Sequence, residues 1–198
     1  MFRFRRLSRA EIDDQILTAW GSPAGSPQFL TIDNGLGAGG LGPFVHDHSR
    51  SCLGYGEAVF AAAKRAFERW KMFDLGWARV VNADVPIVVR QVVAVEVRSL
   101  GLWSVNLSQI MEAVDTETQF GFLYSTTVQH VEEGEETFLL RFNPETGEVS
   151  YELEAVSRPR QALAKAAYPV TRYFQRRFAR DSHKRMLGAV GEGPSPYS

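Results

Sequence analysis

Apolar positions change their spacing twice along this chain, which divides it into three parts. Up to about residue 73 they recur every three or four residues in two blocks. From Trp77 to Ser157 they alternate with polar positions, and after Pro159 the helical spacing returns. In the first part, residues 2–7 alternate Phe2 and Phe4 with Arg3 and Arg5 and predict a short strand. Ser8, with Glu11 three residues on, reads as a capping box. It opens a helix that carries Ile12, Ile16, Leu17 and Trp20 and stops at Gly21. Residues 21–54 are rich in Gly, Pro, Ser and Asp and are expected to form a long irregular loop. A second helix is predicted over 55–73, with Val59, Ala62, Ala63, Ala66, Phe67 and Trp70 on one apolar face.

The alternating part predicts strands near 77–82, 85–99, 104–115, 118–130, 135–143 and 148–157. The separators are turn-forming: Asn82-Ala83-Asp84, Leu100-Gly101, Asp115-Thr116, Glu132-Glu133-Gly134 and Asn143 to Gly147. Connections this short join antiparallel neighbours, not parallel ones. A terminal helix is predicted over 159–187, with Pro159 in its first turn and a stripe of Leu163, Ala167, Val170, Phe174 and Phe178. Pro169 inside it predicts a kink. The fold class expected from this order is α+β, an antiparallel sheet of about six or seven strands wrapped on a long C-terminal helix. Such a helix-grip arrangement would leave a cavity between sheet and helix. One domain is expected over 1–190, with 191–198 a disordered tail.

Charge alters the picture more than composition does. The net charge is only −1, yet 158–187 holds nine Lys or Arg against the single acid Asp181, and Arg3, Arg5, Arg6 and Arg9 crowd the first nine residues. Either the basic ends lie against the acidic middle, or the basic helix presents a face to an anionic partner or a membrane surface. Its arginines lack the interleaved aromatics of single-strand binders, so no nucleic acid is expected. Cys52 is the only cysteine, which rules out an internal disulfide. No secretory leader pattern follows MFRFRRLSR, and no apolar run reaches the ~18 residues of a membrane span. A cytoplasmic protein is expected.

Candidate chemistry is sparse. GLGAGGLG, residues 35–42, matches G-x-G-x-x-G twice, but Pro43-Phe44-Val45-His46 follows where a dinucleotide site needs a helix. It reads as a flexible loop. His46 and His48 flank Asp47 and would share a face of an extended segment, a weak metal pair whose third ligand would have to come from far along the chain, from His130 or a glutamate of the Gly121–Phe142 stretch. In GFLYSTTVQHVEEGEETF, His130 and Glu135 or Glu136 approach across a hairpin neck, where a His–carboxylate pair could act as general acid and base. The same contact is common at hairpin ends. No serine-hydrolase elbow, zincin motif, Walker loop or CxxC pair occurs, and no cofactor is expected.

Three ordered stretches carry a resemblance: FERWKMFDLGW from Phe67 to Trp77, GFLYSTTVQHVEEGEETF from Gly121 to Phe138, and YELEAVSRP from Tyr151 to Pro159. Together they resemble an uncharacterised bacterial and plant family, the domain of unknown function labelled nineteen-ninety, over about Leu53 to Met186. The chain keeps Gly121, Phe122, Tyr124, Thr126, His130, Gly134, Glu135, Glu136 and Phe138 of the family's hairpin pattern. It departs at Ser125 and Gln129, where glycine is usual. The resemblance implies no reaction. It does imply that His130, Glu135 and Glu136 are more than tip residues, and it draws attention to Ser157 and Arg158. Arg158 could hold an anionic ligand group or pair with a hairpin glutamate. The function expected is binding of a small apolar or amphipathic molecule between sheet and terminal helix, with Tyr124, Thr126, His130, Ser157 and Arg158 at the mouth. An enzyme using His130 with Glu135 or Glu136 is the alternative, and an interaction module using the basic helix is a third.

Overall fold

The computed structural model describes residues 3–21, 29–37, 41, 44–127, 132–159 and 168–191. Among these described residues, nine strands and three α-helices follow in the order α1 (Arg9–Gly21), β1 (Leu30–Thr31), β2 (Gly35–Leu36), β3 (Val45–Tyr55), α2 (Glu57–Glu68), β4 (Ala78–Val80), β5 (Val92–Ser99), β6 (Leu102–Asp115), β7 (Gln119–Thr126), β8 (Glu132–Phe142), β9 (Glu148–Pro159) and α3 (Tyr168–Gly191). Seven strands form one antiparallel sheet in the order β3-β9-β8-β7-β6-β5-β4, and β1 pairs only with β2. The meander from β4 to β9 is the antiparallel arrangement the short separators predict. Strand β3 adds to its far edge, so α2 carries the chain across one face to reach β4.

Each strand shows a different set of side chains to each face of the curled sheet. Towards the concave face point Val93 and Val95 of β5, Ile110 of β6, Phe120, Phe122 and Tyr124 of β7, Phe138 and Leu140 of β8, and Tyr151 and Leu153 of β9. Against them pack Phe60, Ala63, Ala66 and Phe67 of α2, then Trp70, Met72 and Phe73, and Met186 of α3. Burying each Phe or Met side chain contributes on the order of 1.5–3 kcal/mol, so the concave face dominates the stability of the fold. The convex face is covered in two patches. Helix α1 places Ile12 and Ala19 on Val92, Ala94, Val105 and Leu107. The β1–β2 segment places Leu30 and Ile32 on Leu123, Leu139 and Val156.

Several predicted elements are confirmed at their ends. The capping box forms: the Ser8 backbone N–H donates to Glu11 Oε2 at 2.9 Å, and the Glu11 N–H donates to Ser8 Oγ at 3.3 Å. Arg5 also holds that carboxylate, and the Glu11 pKa falls to about 2, with the Arg5 hydrogen bond the largest cause and Ser8 adding to it. Helix α2 ends at Glu68, because Trp70 turns left-handed (φ 55°), and a single 3-10 turn, Lys71–Phe73, follows.

Other expectations are corrected. Among the described residues, 3–7 hold a single bridge, Arg3 to Trp103, in place of a strand. Burial on α1 selects Ile12 and Ala19, while Leu17 and Trp20 are exposed, since the sheet contacts a narrower stripe than the apolar residues suggested. The expected loop 21–54 contains β3, an eleven-residue strand. Residues 85–91 are turns that precede β5, with Arg90 left-handed at φ 74°. Strand β9 runs through Pro159, which therefore closes a strand. Pro169 is the second residue of α3 and cannot kink its middle. On α3, Val170 is exposed and the packed side is Phe174, Phe178, Ser182 and Met186; Leu163 and Ala167 lie outside the described residues, as does the tail after 191.

Two glycines let β7, β8 and β9 approach one another. A Cβ at Gly121 would lie 2.2 Å from the Phe138 carbonyl oxygen, and one at Gly134 would lie 2.3 Å from that of Val156. Both obstacles are backbone, which cannot swing aside. Gly134→Ala is expected to destabilise the protein by about 2 kcal/mol or more, as overpacking does. Urea unfolding of the two proteins measures this, and an unchanged midpoint would show that the strands have room to part.

Candidate functional site

The sheet separates the residues of the Gly121–Phe138 hairpin by face. Tyr124, opposite Glu136 in the β7–β8 register, lies on the concave side, and its hydroxyl donates to Glu136 Oε2 at 2.6 Å. Glu135 points the other way. It is buried under the β1–β2 segment, where its Oε2 accepts the backbone N–H groups of Phe29 at 3.0 Å and Leu30 at 2.9 Å. Glu112 does the same for Ile32 at 3.0 Å. A carboxylate accepting two amide donors is well satisfied and fixes the segment that donates. His130 lies outside the described residues, so its pairing with either glutamate does too.

The remaining expected residues sort the same way. Ser157 is buried on the concave side, level with Gly134, and accepts a hydrogen bond from Gln175 Nε2 of α3 at 3.0 Å. Thr126 closes β7 and its Oγ1 accepts the Gly134 N–H at 3.0 Å. Arg158 is on the convex side, where Glu133 accepts from its Nη2 at 2.8 Å and its Nε at 3.1 Å, and its guanidinium lies 4.6 Å from the centre of the Phe44 ring. Of the two roles foreseen for Arg158, the hairpin-glutamate pairing is the one formed. His46 and His48 share the convex face of β3. His46 Nε2 is 2.7 Å from Glu154 Oε1, the residue opposite His48. Among the described residues no three His, Cys, Asp or Glu side chains are placed to hold a metal.

Tyr124, Thr126, Glu136 and Ser157 thus form a polar band at one end of the concave face. Strand β6 extends it: Ser108 stands opposite Thr126, and Ser104 and Asn106 follow at two-residue steps. Asn106 Oδ1 is buried with no hydrogen-bond partner among the described residues. A phenol donating to a carboxylate at 2.6 Å is a charge-assisted bond. It gives the band one strong acceptor, one relay for a proton, and a rigid geometry.

A second polar line joins α3 to the sheet. Ser49 Oγ and Ser51 Oγ of β3 lie 2.8 and 2.7 Å from Nε2 and Nδ1 of His183. The His183 ring rests 4.7 Å from that of Tyr151, whose buried hydroxyl meets Ser182 at 2.8 Å. Burial pushes the Tyr151 phenol up, with the Glu136 charge adding to it, so it stays protonated. Arg172 grips Asp47 with two hydrogen bonds, one of them at 2.6 Å, and holds its carboxyl below the usual range. None of His183, Asn106 and Asp47–Arg172 was singled out from the sequence. The only signal was the period-two spacing of Asp47, Ser49 and Ser51, hidden inside a segment that reads as loop.

Two predictions follow from these contacts. Glu135→Ala is expected to cost about 2 kcal/mol, the penalty of orphaned amide donors. It should also speed hydrogen exchange at Phe29 and Leu30 specifically; if exchange there is unchanged, Glu135 does not anchor the segment. The second concerns pH. Burial first, and His48 second, lowers the His183 pKa below its ordinary value. The unfolded chain then binds the proton more readily, so this contribution is whole above about pH 6.5 and is lost as pH falls below it. His183→Gln should flatten the stability profile below about pH 6.5, read by thermal melts taken downward from that pH. A profile parallel to wild type would remove His183 as the cause.

Comparison with known proteins agrees with this architecture. A UPF0548 protein of Dictyostelium discoideum is 32% identical over 208 residues, covering 96% of each chain. One of Arabidopsis thaliana is 28% identical over 153 residues, covering 74% of each. Among solved structures, the Zhui aromatase/cyclase from Streptomyces sp. R1128 matches with a TM-score of 0.53 at 12% identity, over 77% of this chain and 97% of that one. The hypothetical protein jhp0584 of Helicobacter pylori matches at 0.50 and 8% identity, over 74% and 87%. At such identities the likeness is one of fold, a helix-grip sheet curled around its C-terminal helix. Residues 39–185 match the profile described as Domain of unknown function (DUF1990), and the chain belongs to that family.

Proposed function

We propose that the protein binds a small apolar or amphipathic molecule between the sheet and α3, at the polar end of the concave face. The observation that carries this is Asn106. Three buried side-chain oxygens among the described residues have no partner: Asn106 Oδ1, Thr137 Oγ1 and Ser150 Oγ. Register places Thr137 and Ser150 on the convex side and Asn106 on the concave one. A buried amide oxygen without a donor costs on the order of 1–3 kcal/mol. A ligand hydroxyl or N–H beside Asn106 would remove that cost.

The surroundings support a divided ligand. The α2 half of the concave face is filled by Phe67, Trp70, Phe73, Phe122 and Phe138, whose rings meet at centroid distances between 5.1 and 6.5 Å. That half leaves the ligand the side of Val93, Val95 and Tyr124, bordered by Ser108, Thr126 and Ser157. The apolar part of the molecule would lie on the valines and ring edges, with its donor towards Asn106 and Glu136. Arg158, on the opposite face, has no part in it. No helix among the described residues is long and apolar enough to cross a membrane.

Asn106→Leu separates this reading from a purely structural role. Removing the orphaned acceptor should raise the stability of the ligand-free protein by about 1 kcal/mol. It should also lower, about tenfold, the affinity for whatever molecule native mass spectrometry finds retained on the wild type. Wild-type protein that carries no excess mass, and that binds no apolar fluorescent probe such as anilinonaphthalene sulfonate, would overturn the proposal.

A further inference from the structure

Several basic residues near the two ends of the chain pair with acids of its middle. Arg6 and Arg79 close on the buried Glu96 at 2.6 and 3.0 Å, Arg185 on Asp74 at 2.9 Å, and Arg158 on Glu133 at 2.8 Å. The outer side of α3 differs. There a groove of about 500 Å³ is lined by Pro169, Arg172, Tyr173, Arg176, Arg177 and Arg180. A space of that size falls in the range of small-molecule sites, roughly 300–1,000 Å³.

Four guanidinium groups in the groove meet two carboxylates. Asp47 takes Arg172, and Asp181 takes Arg177 and Arg180. Among the described residues, two positive charges are left over. Arg176 has no hydrogen-bonded or ion-paired acid among the described residues, and Arg180 remains 69% exposed despite its contact. The fixed pairs matter as much as the free charge. Asp47 holds Arg172, and Trp77 lies under Arg177 at 4.7 Å, so two walls of the groove are set before any ligand arrives. Tyr173, 58% exposed, offers a ring face beside the guanidinium groups.

We propose that this groove binds a small phosphorylated molecule, its phosphate held by Arg176 and Arg180 and its remaining body laid against Tyr173 and Pro169. A phosphate monoester carries about −1.5 to −2 charges at neutral pH, which matches the excess of two, whereas a carboxylate would leave one unmet. Guanidinium forks suit its oxygens. This site is on the far side of α3 from Asn106, and it stands or falls independently of the ligand proposed there.

Isothermal titration of the full chain with inorganic pyrophosphate tests it. Saturable binding at one site is expected, weakened about tenfold or more in Arg176→Gln and unchanged in Arg65→Gln, an equal loss of charge on the exposed side of α2. Equal weakening in both variants would mean a diffuse field in place of a site and would overturn the proposal, as would the absence of saturable binding. Co-sedimentation with phosphatidylcholine–phosphatidylserine vesicles distinguishes the source of the phosphate. Vesicle binding that Arg176→Gln abolishes, with no pyrophosphate binding, would make the groove a membrane contact and overturn the small-molecule assignment.

Discussion

The stacked rings of Phe122 and Phe138, 5.1 Å apart and within 16° of parallel, are the point on which the rest of the fold is assembled. They face each other across β7 and β8, near the middle of the sheet. Every element on the concave side touches them. Phe67 of α2 meets Phe122, Trp70 meets Phe122, Phe73 meets Phe138, and Phe178 of α3 meets Phe138. Aromatic pairs contribute about 0.5–1.5 kcal/mol beyond their buried area, so this hub orients as well as stabilises. Its rings can stack only because β8 comes close at Gly121, one residue from Phe122. The glycines and the aromatics of the hairpin are therefore one device.

That device also decides which parts of the molecule were legible in the sequence. Strands β4 to β9 show clean alternation because one face is a continuous aromatic core, and their order follows from the short turns between them. Strand β3 is an edge strand whose residues are mostly only half covered, with α3 packed against one face. Its residues VHDHSRSCLGY are accordingly polar on both faces, and no apolar alternation marks them. On α3 the confusion is different. Ser182 is wholly buried while Val170 and Tyr173 are exposed, because Tyr151 supplies a polar partner to the serine. Hydrophobicity alone points to the wrong side of such a helix.

The hairpin acids illustrate how register converts adjacent residues into separate functions. Glu135 and Glu136 are neighbours in sequence and are alternative partners for His130 in the hairpin reading. A period of two sends Glu136 to the concave face beside Tyr124 and Glu135 to the convex face beneath Phe29 and Leu30. Arg158 and Ser157 divide in the same way. Part of the expected site is thus architecture, holding the β1–β2 segment and the edge of β9, and the rest lies along the concave face. What the sequence could not reveal is Asn106, since an asparagine inside an alternating strand reads as a solvent position. Only the curl of the sheet turns that position inward.

Large rings and small polar side chains divide the concave surface between them. Helix α2 and the turn after it occupy one half with large rings, which secures the fold without any ligand. The other half is bounded by small polar side chains, Ser104, Ser108, Thr126 and Ser157, that pack less apolar area and leave one acceptor unmet. A sheet under pressure only for stability would replace these with valines, as β5 does at Val93 and Val95 directly across from Ser108 and Asn106. Set opposite an apolar strand, the small polar side chains give this end of the concave face a mixed polar and apolar lining. Helix α3 closes over both halves with Phe178 and Ser182 on one side, and turns its arginines outward. The fold therefore presents two chemically opposite surfaces on either side of one helix, joined through Asp47–Arg172 and Gln175–Ser157.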